Sequence, residues 1–334
     1  MDIRKIQVTG GSSYVLSLPK SWAVSHHIQK NDPIGIITQA DGNLLITADI
    51  KGTSSQREKD FFLKDYPNPE CLFRCLIGAY ITGFTTIKIT SKVRIPPEVR
   101  QRVRLYTQMT IGQEVAEETD HLIVIKDILN PAEMPLDNTI KRMYSIVKAM
   151  HEDAITALEE GRSDLCLDII SRDNDIDRLH WLINRQYHLI IHNPALSRRM
   201  DITVGAAMTF FQISRTIERI ADHAVTIASN VQNLLDSNLE PALILRIREA
   251  DEVALGIFRR SMRSFYDKNI PEANANIASV DELTLLYKGL KQESTKLKNP
   301  DSIYCGYIAN SIARIGEYSS DISEIVINHC ISEE

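Results

Sequence analysis

The sequence predicts a multidomain α+β protein: a β-rich N-terminal module, a small α/β middle unit and an all-α C-terminal part of two tandem three-helix bundles. Three observations carry this expectation. Short β-branched and apolar runs separated by glycine turns fill the first fifty residues. Strand-like and helix-like patterns then alternate up to about residue 136. From Asp137 onward the strand signals vanish and apolar residues recur every three or four positions, the period of a helix. The expected domains are 1–50, 51–136, 137–236 and 237–334, in keeping with a 334-residue chain of about two to three ordinary domains.

In the first module, residues 3–9 and 14–18 read as strands around the Gly10-Gly11-Ser12-Ser13 turn, and Pro19 ends the second of them. Residues 20–27 allow about two helical turns. Strands follow at 34–37 and 43–47, joined through Asp41-Gly42, a strong hairpin signal. Four short strands have little core to bury, so such a unit is usually stabilised by pairing with a copy of itself. The polar stretch 51–60 reads as a linker. A helix at 68–82, a strand at 85–90, a helix at 96–118 opening on Pro96-Pro97 and a strand at 122–126 make the middle unit. It carries no catalytic motif, and Arg100, Arg102 and Arg104 read as a solvated basic helix face.

Ser163, Asn193-Pro194, Asn238, Pro271 and Asn299-Pro300 punctuate the remainder into six helices, at 138–160, 163–192, 201–236, 239–268, 271–297 and 300–331. An internal repeat is visible. Arg219-Ile220-Ala221-Asp222-His223 recurs 95 residues later as Arg314-Ile315-Gly316-Glu317-Tyr318, a spacing of three helices. At 100° per residue, Ile213, Ile217, Ile220, Ala224, Ile227 and Val231 form one core stripe, matched by Ile308, Ile312, Ile315, Ser319, Ile322 and Val326. Glu218 and Asp222 project from roughly the opposite side, as do Glu317, Asp321 and Glu324, while Asp173 and Asp177 border the stripe of the second helix. Like charges at i,i+4 cost a helix about 0.2–0.5 kcal/mol, so three such pairs need a reason. One is a solvated acidic face. The other is binding of hard or borderline cations such as Mg²⁺, Mn²⁺ or Fe by carboxylate rows on adjacent helices.

Composition bounds the function classes. Hydrophobic residues at 43% and charged residues at 25% exclude a disordered or fibrous chain, and 38 basic against 44 acidic residues give a net charge of −6, unlike a polycationic nucleic-acid coat. No apolar run is long enough for a membrane span and no signal peptide precedes the first strand, so a cytoplasmic protein is expected. Cys71, Cys75, Cys166, Cys305 and Cys330 lack a Cys-x-x-Cys pair and read as reduced core thiols. The helical bundles carry no inward-facing Glu-x-x-His di-iron motif, the chain has no nucleophile elbow, P-loop or dinucleotide fingerprint, and His180, His188 and His192 read as packing or surface residues. The expectation is a non-enzyme.

The string Glu218-Arg219-Ile220-Ala221-Asp222-His223-Ala224-Val225 resembles the signature helix of the PhoU family, and Arg314-Ile315-Gly316-Glu317-Tyr318 resembles its second signature. The resemblance covers about 200 residues and implies a regulator of phosphate uptake, partnered by a phosphate transporter or signalling protein. It also implies multinuclear metal clusters, of Fe, Mn, Zn or Mg, on the outside of the bundles. Carried over residue by residue, the ligands are Glu218 and Asp222 with Asp173 and Asp177. In the second repeat Ala313 stands where Glu218 stands in the first, the pair shifts to Glu317 and Asp321, and the partner helix offers Asp281-Glu282. That second site is expected to be displaced, weakened or empty. Phosphate itself could reach the metals as an added ligand.

The first fifty residues are similar to the AbrB/SpoVT swapped-hairpin family through Arg4-Lys5-Ile6-Gln7-Val8, the Gly10-Gly11 turn, Leu18-Pro19-Lys20-Ser21-Trp22 and Asp41-Gly42. This similarity implies a homodimer presenting basic residues to DNA. Arg4, Lys5, Lys20 and Lys30 stand against Asp2 alone up to residue 30, a local net charge of +3 suited to phosphate contacts. The combined expectation is a dimeric, DNA-binding transcriptional regulator of phosphate uptake with metal-carrying sensor bundles. Its rival is an adaptor that docks on a phosphate transporter or signalling partner without touching DNA.

Overall fold

Gly10 and Gly11 adopt left-handed φ angles of 65° and 80°, which turns strand β1 (Gln7–Thr9) back onto β2 (Ser13–Val15) as an antiparallel pair. The computed structural model describes residues 3–11, 13–38, 42–48 and 57–333, in two units, Met1–Ser55 and Gln56–Glu334. After Pro19 comes a short helix α1 (Lys20–Ser25), then the antiparallel pair β3 (Gly35–Thr38) and β4 (Leu44–Thr47). Asp41 of the expected hairpin signal lies outside the described residues, as do 51–56 of the expected linker. Ile37 is buried, whereas Ile3, Ile6, Val8, Tyr14, Ile36 and Leu44 are exposed, Ile3 at 83%. Taken by itself, the first unit has the slight core its sequence implies.

The second unit begins with a mixed sheet of order β5-β6-β8-β7, made of β5 (Glu58–Phe62), β6 (Thr86–Thr90), β7 (Gln113–Glu118) and β8 (Leu122–Asp127). β5 and β6 are parallel and joined through helix α2 (Pro69–Ile81); β8 is antiparallel to both its neighbours. Helix α3 (Pro97–Met109) joins α2 over one face, where Leu72, Leu76, Tyr80, Val103 and Tyr106 meet Ile87, Ile89, Ile123 and Ile125. Two sequence expectations are corrected. The end of the presumed linker is strand β5, because Phe61 has a core to enter. The presumed helix 96–118 stops at Met109, where extended Thr110 and Gly112 at φ 85° redirect the chain into β7. Gln113–Glu118 has helix-forming composition, and pairing with β8 overrides that propensity.

The helical layer comprises α4 (Leu136–Glu160), α5 (Ser163–His192), α6 (Pro194–Arg199), α7 (Val204–Leu234), α8 (Pro241–Asp267), α9 (Ile270–Ala278), α10 (Val280–Ser294) and α11 (Asp301–Glu333). Short α6 and the division of the expected helix 271–297 into α9 and α10 are the departures from the sequence reading. Asn193 caps α6, its side chain accepting hydrogen bonds from the backbone N–H groups of Ala195 and Leu196. At the α9 end, the buried Asn276 amide donates to the Ile257 carbonyl and to the hydroxyls of Ser261 and Ser323, pulling this turn onto α8 and α11. The two predicted core stripes on α7 and α11 are buried throughout. Gly316 keeps α11 narrow where α10 crosses, since a Cβ there would run into Leu283.

The repeats share one core. A shift of 107 residues carries the α4 C-cap Gly161 onto the α8 C-cap Lys268, both left-handed (φ 68° and 49°). The same shift exchanges Tyr144 with Asp251 and His151 with Phe258. In space these residues pair reciprocally across the α4–α8 seam: Tyr144 against Phe258 at 5.0 Å between rings, His151 against Asp251 at 3.8 Å. Because left-handed backbone suits glycine, Lys268→Gly is expected to raise stability by up to about 1 kcal/mol, read as a higher urea midpoint.

Sheet and helices are locked together by Arg185 of α5, which is only 3% exposed. Its guanidinium donates to the Tyr80 and Phe84 carbonyls, the latter at 3.0 Å, stacks 4.8 Å from the Tyr80 ring and pairs with the Asp127 carboxylate. Neighbouring Gln186 donates to the carbonyls of Pro131 (3.0 Å) and Met134 (2.6 Å), pinning the link between β8 and α4.

Candidate metal centre

Burial of Ile176, Leu179 and Ile183 on α5, and of Ile217, Ile220, Ala221 and Ala224 on α7, fixes how these two packed helices face each other. Asp173 and Asp177, one turn apart on α5, are thereby brought to the same seam edge as Glu218 and Asp222 of α7. Asp173, Asp177 and Glu218 are half-buried, and Asp222 keeps an exposed edge.

Burial raises all four carboxyls, and Asp222 further raises the other three. Burial, then repulsion from Asp222 and Asp177, pushes Glu218 up to about 7, against which nearby Arg215 works in the opposite direction. Burial, then Asp173 and Asp222, pushes Asp177 up to about 6. Asp173 is raised by burial and by Asp222, and Asp222 by burial against the lowering effect of Arg219. Like charges forced into a partly desolvated seam are unfavourable unless a proton or a cation joins them. All eight oxygens are hard donors, the kind that suits Mg²⁺, Mn²⁺ or Fe. Among the described residues, however, no three His, Cys, Asp or Glu side chains are drawn into a geometry that could hold a metal ion. The donor chemistry fits a cation, but the side chains as placed do not form a ligand shell.

The second acidic row is built differently. Glu317, Asp321 and Glu324 are exposed on α11. Arg314 donates to Glu317 at 2.7 Å, and Arg219 lies 5.6 Å from the Tyr318 ring and opposes the rise of the Asp321 carboxyl, which burial and Glu324 bring about. The 107-residue shift carries Asp173 and Asp177 onto Val280 and Thr284, and the 95-residue shift carries Glu218 and Asp222 onto Ala313 and Glu317. One carboxylate of four is kept. Asp281 and Glu282 are exposed, and Glu282 faces Glu249 and Glu252 of α8 across a groove.

Arg4, Lys5, Lys20 and Lys30 are all exposed on the N-terminal unit, Arg4 reaching the Ser17 hydroxyl at 3.4 Å. The basic cluster on α3 is engaged locally: Arg100 pairs with Glu118 and donates to the Thr119 carbonyl, and Arg102 pairs with Glu70 at 3.1 Å. His180 is buried, with Nδ1 3.0 Å from the Ser214 hydroxyl. All five cysteines are free.

Sequence reasoning misses Arg185 and the His151–Asp251 pair. The available signal was a charged or polar residue inside an apolar stripe: His151 between Val147 and Ala154, Asp251 between Ile247 and Ala254.

Residues 140–231, which contain all four seam carboxylates, match the family model for the PhoU domain. The chain is 22% identical over 201 residues to the phosphate-specific transport system accessory protein PhoU homologue of Caulobacter vibrioides strain NA1000 / CB15N, covering 58% of this chain and 86% of that protein. It is 28% identical over 199 residues to the like-named homologue of Zymomonas mobilis, covering 56% and 80%. In fold it is similar to the crystal structure of PhoU from Pseudomonas aeruginosa, with a TM-score of 0.53 and 18% identity over 60% of this chain and 96% of that one. The phosphate transport system regulatory protein PhoU from Streptococcus pneumoniae gives a TM-score of 0.51 at 16% identity, over 60% and 94%. The helical part of the chain is therefore PhoU-like, by family match across 140–231 and by fold across three fifths of the chain's length.

Proposed function

We propose that this chain is a non-enzymatic accessory regulator of phosphate uptake that docks on a phosphate transporter or signalling partner and holds a cation in the α5–α7 seam. The observation that carries this reading is the four mutually repelling carboxylates lying inside the PhoU-matched segment. The PhoU relatives' names supply the phosphate-transport context. Asp173, Asp177, Glu218 and Asp222 would hold the cation, which when bound would supply a Lewis-acidic point for a phosphate oxygen. The chain's own contribution is to hold four oxygens in a partly water-excluded seam where protons and cations compete.

Metal content is the direct test. Protein purified without chelator should carry Fe, Mn, Zn or Mg, and Glu218→Ala/Asp222→Ala should lose it with folding retained. Glu317→Ala/Asp321→Ala should keep the wild-type content, because Arg314 and Arg219 already face that row. Metal-free wild-type protein of full stability would remove the cation from the proposal. Deleting the gene should uncouple radiolabelled phosphate uptake from external phosphate; uptake that stays regulated would defeat the regulatory role.

The N-terminal unit, with its slight core and exposed apolar residues, is proposed to be an AbrB/SpoVT-like module completed by a second copy of the chain. A second reading, DNA contact, is favoured by the four exposed cations of that unit. A gel shift with the chain's own upstream region tests it: affinity should fall steeply with salt and with neutralisation of Arg4 and Lys5. Binding indifferent to both leaves the adaptor alone.

A further inference from the structure

A cavity of about 460 Å³ opens where the N-terminal ends of α4 and α7 meet the C-terminal end of α8 and His329 of α11. Its size lies within the range of small-molecule sites. Phe210 and Phe265 form an aromatic floor, their rings 5.4 Å apart and edge-to-face, with the buried His329 ring 6.0 Å from Phe265. Arg199 and Lys268 are the cations on the wall, with Asp137 and Asp201 as its carboxylates. Both cations and His329 also make other contacts, so an incoming group would share them.

The internal duplication shows which of these features the fold requires. The 107-residue shift places Leu158, Glu159 and Gly161 where Phe265, Tyr266 and Lys268 stand, and the 95-residue shift places Leu234 where His329 stands. The fold thus tolerates a glycine, a leucine and a carboxylate at these positions. The second copy instead puts a lysine on left-handed backbone and an imidazole in a buried position, and both line the same cavity. Asp201, also left-handed at φ 50°, lines it as well. Chemistry-bearing residues that the architecture does not need therefore converge on one concave site. The 31-residue α7 begins at this wall with its Ala206 N–H capped by the Thr203 hydroxyl at 3.0 Å, so the charge of the site rests on its side chains.

We propose that this cavity binds a small anion with an apolar body, its ring or chain on Phe210 and Phe265 and its charge at Lys268 and Arg199. The site is separate from the carboxylate seam and does not depend on a metal there. Phenyl phosphate is the probe, titrated calorimetrically into metal-free full-length protein beside inorganic phosphate. Saturable binding of phenyl phosphate is expected, with inorganic phosphate weaker because it leaves the aromatic floor uncovered. Lys268→Gly, which relieves the backbone, should weaken phenyl phosphate about tenfold through loss of a charged hydrogen-bond donor. Ala206→Phe, which fills the cavity from the α7 end, should abolish it. No saturable binding at millimolar probe, or equal binding by wild type and Lys268→Gly, overturns the proposal, and should Ala206→Phe fail to fold, Lys268→Gly alone decides.

Discussion

Replacing Arg185 with methionine should lower the unfolding free energy of the Gln56–Glu334 unit by about 3–5 kcal/mol, the usual cost of leaving one member of a buried ion pair without its partner. Three groups lose a donor at once: the Tyr80 carbonyl, which keeps the Gly83 N–H, the Phe84 carbonyl, and the Asp127 carboxylate, which is 7% exposed and among the described residues keeps only the Leu129 N–H for its charge. The stranded charge dominates. Combining Arg185→Met with Asp127→Leu should recover much of the stability, because the uncompensated charge is gone. Urea unfolding followed by Trp181, which packs against the sheet core from α5, reads the effect where it occurs. A single-variant loss below about 1 kcal/mol would mean that water reaches Asp127 and that the clamp is dispensable.

The second large effect is a fall of stability with rising pH, centred on the α4–α8 seam. His151 and Asp251 are buried, and His151 Nδ1 and Asp251 Oδ1 have no hydrogen-bond partner among the described residues. Burial, then Glu152 and Glu252, pushes Asp251 up to about 8. Burial lowers His151 to about 4, while its Nε2 stays 3.0 Å from the Ile220 carbonyl. At neutral pH the pair is a protonated carboxyl beside a neutral imidazole.

The signs follow from which state binds more protons. A carboxyl raised on folding contributes stability fully present below its unfolded value near 3.8 and lost as pH climbs to about 8. An imidazole lowered on folding does the reverse between about 4 and 6.5. The two slopes oppose each other below pH 6.5. Above it Asp251 acts without His151 and from pH 6.5 to 8 should cost the folded state about 2 kcal/mol, to which Glu218 of the α5–α7 seam, raised to about 7, adds a smaller share of the same sign. Asp251→Asn should remove the larger part of this limb, leaving the Glu218 share, and match or exceed wild-type stability at pH 8. An unchanged slope in that variant would show that Asp251 ionises freely.

Helix content was legible wherever one face was apolar over many turns. The stripes from Ile213 to Val231 and from Ile308 to Val326 are buried as the period requires. Short strands were legible when β-branched, as in β6 and β8, and illegible when built from Glu, Lys, Asp and Gln, as in β5 and β7. Their partners, supplied by distant sequence, decide their conformation. The carboxylate seam was legible as i,i+4 spacing. That Asp222 would raise carboxyls across the seam on α5, and that arginines would face the second row, depended on how α5, α7 and α11 approach, which spacing along one helix does not encode. Arg185 was invisible for the same reason, its partners lying 58 to 105 residues earlier.

That separation also sets a timetable. Ribosomes add about 5–20 residues per second, so roughly 3–12 s pass between synthesis of Asp127 and of Arg185. Throughout that interval every strand of the sheet exists, yet the cation that lets its last strand bury a carboxylate has not been made. Helices α2 and α3 already cover Ile87, Ile89, Ile123 and Ile125, so what stays open until α5 leaves the tunnel is the Asp127 carboxylate and the outer side of α2. A chain stalled before residue 185 should therefore be protease-sensitive at the link between β8 and α4, whose carbonyls Gln186 also binds, and one extended past α5 should not.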